Sequence, residues 1–275
     1  MSFSPLGSAC AYAVSSVAII LVNKTAFELG FNSPLILTVL HLAAGLFGLV
    51  AFKIDISPID LASAVRIIPL SLLFAANIYL GTLALSSTDV SMFTALRRLS
   101  IVFVVAFEWR ILRKIPNAPT IVSISVMSMG AVMAGFSDIG SDAHAYSLVF
   151  LNNLCTALYF CLVKLSLSGS DVKLNDISLL YYNSLFSLPL LVMVAFATGQ
   201  HHVIYSPLWS SGTFVATIAL GSALAFAVNL FSFRCTQLNS ALTTCVTGQM
   251  KNIGTSLFGH ILFHRKASST GSTQV

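Results

Sequence analysis

Charge is what this chain has least of. Only 8% of its 275 residues are charged, 56% are hydrophobic and the mean hydropathy is +0.90, whereas soluble domains carry roughly 25% charged residues. A soluble domain is excluded, and the chain reads as an integral membrane protein. The net charge of +5 is scattered along the sequence, without the basic patch that nucleic acid requires. Carboxylates are missing where membrane chemistry would need them. Glu108 lies near the end of an apolar stretch, and the aspartates stand in or beside connections. A proton relay, an intramembrane aspartyl protease and a two-carboxylate hydrolase are thereby disfavoured, and no enzyme is expected. The five cysteines (Cys10, Cys155, Cys161, Cys235, Cys245) form no CxxC, and no HExxH occurs. They read as buried thiols, with neither metal nor cofactor implied. The six histidines are scattered and read as structural or loop residues. The N-terminus lacks the basic start and cleavage site of a secretory signal, so the first apolar run is expected to be the first transmembrane helix.

What is present is a succession of apolar stretches of about twenty residues, the length that crosses a hydrocarbon core. Spans are predicted at 6–26, 33–52, 66–86, 89–109, 118–136, 145–165, 177–197, 211–233 and 239–263, an all-α bundle of about nine helices. Breakers separate them, among them Pro34, the Pro116–Asn117–Pro119 group and Ser168–Gly169–Ser170. Lys53, Arg66, Arg110, Arg113, Lys114, Lys164, Lys173 and Arg234 fall in alternate connections, while Asp89, Asp138 and Asp142 occupy others. Basic loops stay cytoplasmic, which predicts a cytosolic N-terminus. From His264 a polar tail runs to Val275. No tenth helix is expected, so a truncated or spliced product, or a last helix that does not fully cross, is anticipated.

Basic residues deep inside two of these spans need a reason. In the string MFTALRRLSIVF, Ser87, Ser91, Thr94 and Arg98 repeat at helical spacing and share a face, which favours Arg98; Arg97 is turned toward the side of Phe93 and Ile101. Snorkelling to an interface is the alternative, set against their position near mid-helix. In SALTTCVTGQMKN, Thr244, Thr247, Gly248 and Lys251 share a face, and Gly248 permits close approach of a ligand or helix. Small and hydroxyl residues alone would equally serve as helix glue; Lys251 shifts the reading toward a cavity. Tyr181, Tyr182, Asn183 and Ser184 open the seventh span, and Asn152, Asn153, Thr156 and Tyr159 lie in the sixth. Aromatic faces and amides suit a nucleobase, although taken alone the tyrosines read first as an interfacial belt. The sequon at Asn23 sits at a helix end, where glycosylation is not expected.

These strings are specific enough to name a family. The chain resembles the nucleotide-sugar transporters of the drug/metabolite transporter superfamily. The likeness is closest to the branch that carries UDP-glucuronate, UDP-N-acetylglucosamine and UDP-N-acetylgalactosamine. It rests on VNK (Val22–Lys24), MFTALRR, TALYFCLVK, YYNS, CTQLNSALTT and GQMKN, spread over nearly the whole chain. The resemblance implies ten helices in two inverted five-helix halves, with the fourth and ninth helices as counterparts beside a central site. On this chain that means residues 1–137, then 138–263 with four helices, then a disordered tail over 264–275. It further implies a multi-pass protein of the Golgi or endoplasmic reticulum membrane that exchanges a cytosolic nucleotide sugar for a luminal nucleoside monophosphate. Arg98, Arg97 and Lys251 are then the expected phosphate ligands. Tyr181, Tyr182, Asn183 and Asn153 are expected at the base, and Thr244, Thr247, Gly248 and Asn252 at the sugar. In related GDP-mannose carriers the corresponding motifs look like FYNN and GALNK. Here Ser184 replaces the second asparagine and residues 248–252 read GQMKN, which turns the expectation from guanine to uracil. The alternative readings are a GDP-sugar carrier and a transport-defective family member with a shortened end. Gly221 and Ala225 on the eighth helix are compatible with a homodimer.

Overall fold

The structure, a computed structural model, describes residues 4–53, 56–58, 61–88, 90–136, 143–168 and 175–250. Among them there is no strand. The helices are α1 (Pro5–Glu28), α2 (Pro34–Ala51), α3 (Leu61–Ser87), α4 (Val90–Arg97), α5 (Ser100–Phe107), α6 (Ala118–Phe136), α7 (Ala143–Ser168), α8 (Asp176–Ala197), α9 (Gly212–Leu238) and α10, helical over residues 241–250. Six of these, α1, α2, α3, α7, α8 and α9, are long and apolar enough to cross a membrane. Their starts follow from local chemistry. Ser4 and Ser33 each cap a helix whose first residue is proline, accepting from the Gly7 and Ile36 amides.

Lipid removes the hydrophobic force between helices, so polar contacts and close packing hold the bundle. α1 packs on α9, α3 on α7 and α8, α2 on α8 and α9, and α5 on α7. α3 and α7 are joined by reciprocal amides: Asn152 Nδ2 donates to the Asn77 carbonyl at 2.7 Å, and Asn77 Nδ2 donates to Thr156 Oγ1. Gly81 makes room, since a Cβ there would stand 3.2 Å from Asn152 Nδ2. Most serine and threonine hydroxyls in the spans donate to a carbonyl three or four residues back, as Ser71 does to Ile67 and Ser222 to Ile218. This satisfies them without water.

The two ends of the bundle close differently. At one, Phe31, Leu35, Leu191, Ala195 and Phe214 form an apolar cluster, and Ser33 donates to Gln200. At the other, where the chain begins, the contacts are polar. Arg234 on α9 pairs with the buried carboxylate of Asp176 on α8. Tyr182 donates to the Ser57 carbonyl at 3.0 Å. The reversal from α9 into α10 is held by complementary charges. The buried Lys164 ammonium donates to the Gln237 and Asn239 carbonyls, both at 2.7 Å, at the C-terminus of α9, while the buried Glu108 carboxylate accepts from the Leu242 amide at 3.1 Å, at the start of α10. Each charge meets the helix end of opposite partial charge. Asn239 reaches across to the Pro5 carbonyl and Ser8 hydroxyl of α1. Cys10 departs from expectation: it is exposed on α1, whereas the other four cysteines are buried free thiols.

Candidate functional site

The fourth span is a broken helix. From Ala95 to Val102 the backbone hydrogen bonds close over three residues: Arg98 N to Ala95 O, Leu99 N to Leu96 O, Ile101 N to Arg98 O and Val102 N to Leu99 O. α4 therefore ends at Arg97 inside the apolar sequence and α5 resumes at Ser100. A mid-span break places a helix C-terminus, with its partial negative charge, next to the guanidinium. Arg97 is half-buried with its Cζ 5.6 Å from the centre of the Phe93 ring. It lies within electrostatic reach of Tyr12 and Cys245. Arg98, favoured by the face argument, is exposed at the turn.

Two side chains from other helices grip the break. Asn153 on α7 donates its Nδ2 to the Leu96 carbonyl at 2.9 Å. Gln249 on α10 donates its Nε2 to the Arg97 carbonyl and to Ser100 Oγ, both at 3.2 Å. Asn153 Oδ1 is buried and without a partner among the described residues.

Around Arg97 a polar centre assembles from five helices. Tyr12 of α1 is only 5% exposed, and a Cβ on Gly248 would stand 3.1 Å from its hydroxyl. Tyr12 in turn is within electrostatic reach of Tyr159 on α7. Tyr159 accepts from Asn183 Nδ2 of α8 at 3.4 Å, and Asn183 Oδ1 accepts from Ser71 of α3 at 3.2 Å. Phe74 and Phe233 flank the Tyr159 ring.

Arg97, Asn153 and Gly248 thus meet around the break, while Asn183 belongs to a hydrogen-bonded set with Tyr159 and Ser71. Tyr182 turns instead to Ser57, with Tyr181 edge-on against its ring. Thr244 is buried and its hydroxyl contacts Ser240 and Thr236, tying α10 to α9, while Thr247 donates to the Thr243 carbonyl. Lys251 and Asn252 lie outside the described residues. Sequence reasoning missed Tyr12, although the buried Ser8, Tyr12, Ser15 and Ser16 mark a polar face on α1 at helical spacing. It also missed Gln249, whose contact appears only when α10 meets the break. An apolar groove of about 780 Å³ between α2 and α9, bordered by Gly45, Phe47, Ala219 and Phe226, has no charged side chain in its lining. A phosphate could not be desolvated there without a partner.

The sequence profile of the Triose-phosphate Transporter family matches residues 7–273. The chain belongs to this family. It is 32% identical over 260 residues to the UDP-sugar transporter UST74c of Drosophila melanogaster, covering 92% of this chain and 69% of that protein. It is 34% identical over 266 residues to the UDP-sugar transporter sqv-7 of Caenorhabditis elegans, covering 94% and 80%. It is 28% identical over 263 residues to the UDP-galactose/UDP-glucose transporter 7 of Arabidopsis thaliana, covering 94% and 81%. The family member described here is thus an all-α polytopic membrane protein of the nucleotide-sugar transporter class, as its motifs led us to expect.

Proposed function

We propose that this family member carries UDP-sugars across a Golgi or endoplasmic reticulum membrane in exchange for uridine monophosphate, with its N-terminus in the cytosol. The observation that carries the reading is Arg97, set at a helix break in a strongly apolar stretch and within electrostatic reach of Tyr12, whose hydroxyl lies against Gly248. A diphosphate-linked sugar brings about two negative charges, whose desolvation must be offset by cations and donors inside the membrane. A guanidinium grips phosphate bidentately; Lys251 would add a point charge. Tyr159, held by Asn183, offers a hydroxyl for the uracil. The sugar would meet the α10 face near Gly248, whose missing side chain lets the Tyr12 hydroxyl approach the helix there.

Exchange follows from the same electrostatics. An empty, dehydrated site leaves Arg97 without an anion, so the closed state is costly unless a nucleotide is aboard. In this reading residues 1–137 and 138–263 are two inverted halves that rock about the polar centre. The test is the melting temperature of the purified chain with UMP and, separately, with GMP. Ligand at about a hundred times its dissociation constant adds roughly 2.7 kcal/mol. A shift with UMP and none with GMP is expected. A shift with GMP alone would replace the reading by a GDP-sugar carrier, and no shift with either would refute binding at Arg97.

A further inference from the structure

The broken fourth span poses a question of its own. Nothing between Leu96 and Ser100 is proline or glycine, so the residues at the break do not cause it. Its carbonyls are held from outside by Asn153 and Gln249, both from the second half of the chain, while Arg97 belongs to the first. Resting on the transport reading above, we propose that Asn153 and Gln249 are positioning residues: by gripping the Leu96 and Arg97 carbonyls they keep α4 terminated at Arg97 and aim its guanidinium at the substrate phosphate.

The amide nitrogens are already committed to the break, as positioning residues require. An Asn or Gln amide has two N–H donors on one nitrogen. In Asn153 that nitrogen is engaged with Leu96, and in Gln249 with both Arg97 and Ser100. The sequence at the break can otherwise continue as a regular helix, whose backbone bond would run from Ile101 N to the Arg97 carbonyl. That carbonyl accepts from Gln249 instead, and Ile101 N goes to Arg98. Ser100 is tied a second time to α10 through Cys245, at 3.6 Å. Losing the Gln249 amide frees the Arg97 carbonyl for the Ile101 N–H, and losing the Asn153 amide leaves the Leu96 carbonyl to Leu99 N alone, so the turn that sets the arginine is no longer held from outside. The device also couples the halves, because a shift of α7 or α10 is felt at Arg97.

The experiment uses the full chain in detergent, with UMP and the phosphate-free nucleoside uridine as probes, and near-isosteric variants that lack the donor, Asn153→Leu and Gln249→Met. Each variant is expected to weaken UMP about tenfold, the size of one lost hydrogen bond at a dehydrated site, and to leave uridine unchanged. In an Arg97→Gln background neither substitution should weaken UMP further, since both act through that side chain. Parallel loss of UMP and uridine would overturn the proposal in favour of direct contact with the nucleoside. Unchanged UMP affinity with a lowered melting temperature would overturn it in favour of a structural role. If Asn153→Leu fails to fold, Gln249→Met, on a half-buried residue, carries the test alone. A wild-type chain that binds no UMP refutes the transport reading instead, and the positioning role falls with it.

Discussion

Lys164→Met removes the cation from the reversal between α9 and α10 with little change in side-chain length. Lys164 is 6% exposed as a residue, and its ammonium makes two bonds of 2.7 Å, to the Gln237 and Asn239 carbonyls. Hydrogen bonds to a charged group contribute about 1.5–3 kcal/mol each, so the pair is worth roughly 3–6 kcal/mol before offsets. The apolar side chain recovers about 1–2 kcal/mol through its own burial, and loss of the cation at a helix C-terminus adds about 0.3–1 kcal/mol in the destabilising direction. The net expectation is a loss of about 1–6 kcal/mol, centred near 3–4 kcal/mol, on the order of a 10 °C fall in melting temperature. Denaturant unfolding in a mild detergent measures it, with Lys164→Arg as the control that retains a donor. A loss below about 0.5 kcal/mol would place the ion among ordinary surface contacts and refute the clamp.

Two glycine substitutions test the polar centre and, apart from it, the packing of α9 on α2. Gly248→Ala brings a Cβ to 3.1 Å from the Tyr12 hydroxyl. It should cut UDP-sugar exchange while the protein still inserts, and wild-type exchange by both Gly248→Ala and Gly248→Val would remove Gly248 from the site. Gly221→Ala places a Cβ 2.9 Å from His41 Nε2 and 3.5 Å from Asn23 Oδ1. Overpacking of this kind costs about 1–3 kcal/mol, and His41→Ala in the same chain should restore part of it; additive losses in the double variant would deny the contact.

The spans were legible because about twenty apolar residues in a row permit few alternatives. The expected 118–136 reappears as Ala118–Phe136, and 177–197 as Asp176–Ala197. The fourth span was not fully legible. Its break is held by partners 57 and 152 residues away, and no residue at the break marks it. A face drawn on a continuous helix therefore ranked Arg98 above Arg97, while the structure leaves Arg98 exposed and seats Arg97 over Phe93. Thr244 and Thr247 show another limit. Spacing put them on the face of Gly248, but a hydroxyl on a membrane helix is readily taken up by its own backbone, as both are here. Lys164 and Glu108 looked like loop and helix-end charges, and their role as clamps depends on where α9 and α10 meet.

The central claim is exchange of a uridine nucleotide at Arg97, and counterflow tests it most directly. Proteoliposomes of the full chain, preloaded with UMP, are given UDP-N-acetylglucosamine outside, or GDP-mannose in a parallel arm. UMP efflux accelerated by the UDP-sugar alone, and abolished by Arg97→Gln, is the predicted result. Equal acceleration by GDP-mannose, or undiminished exchange in Arg97→Gln, would contradict the account.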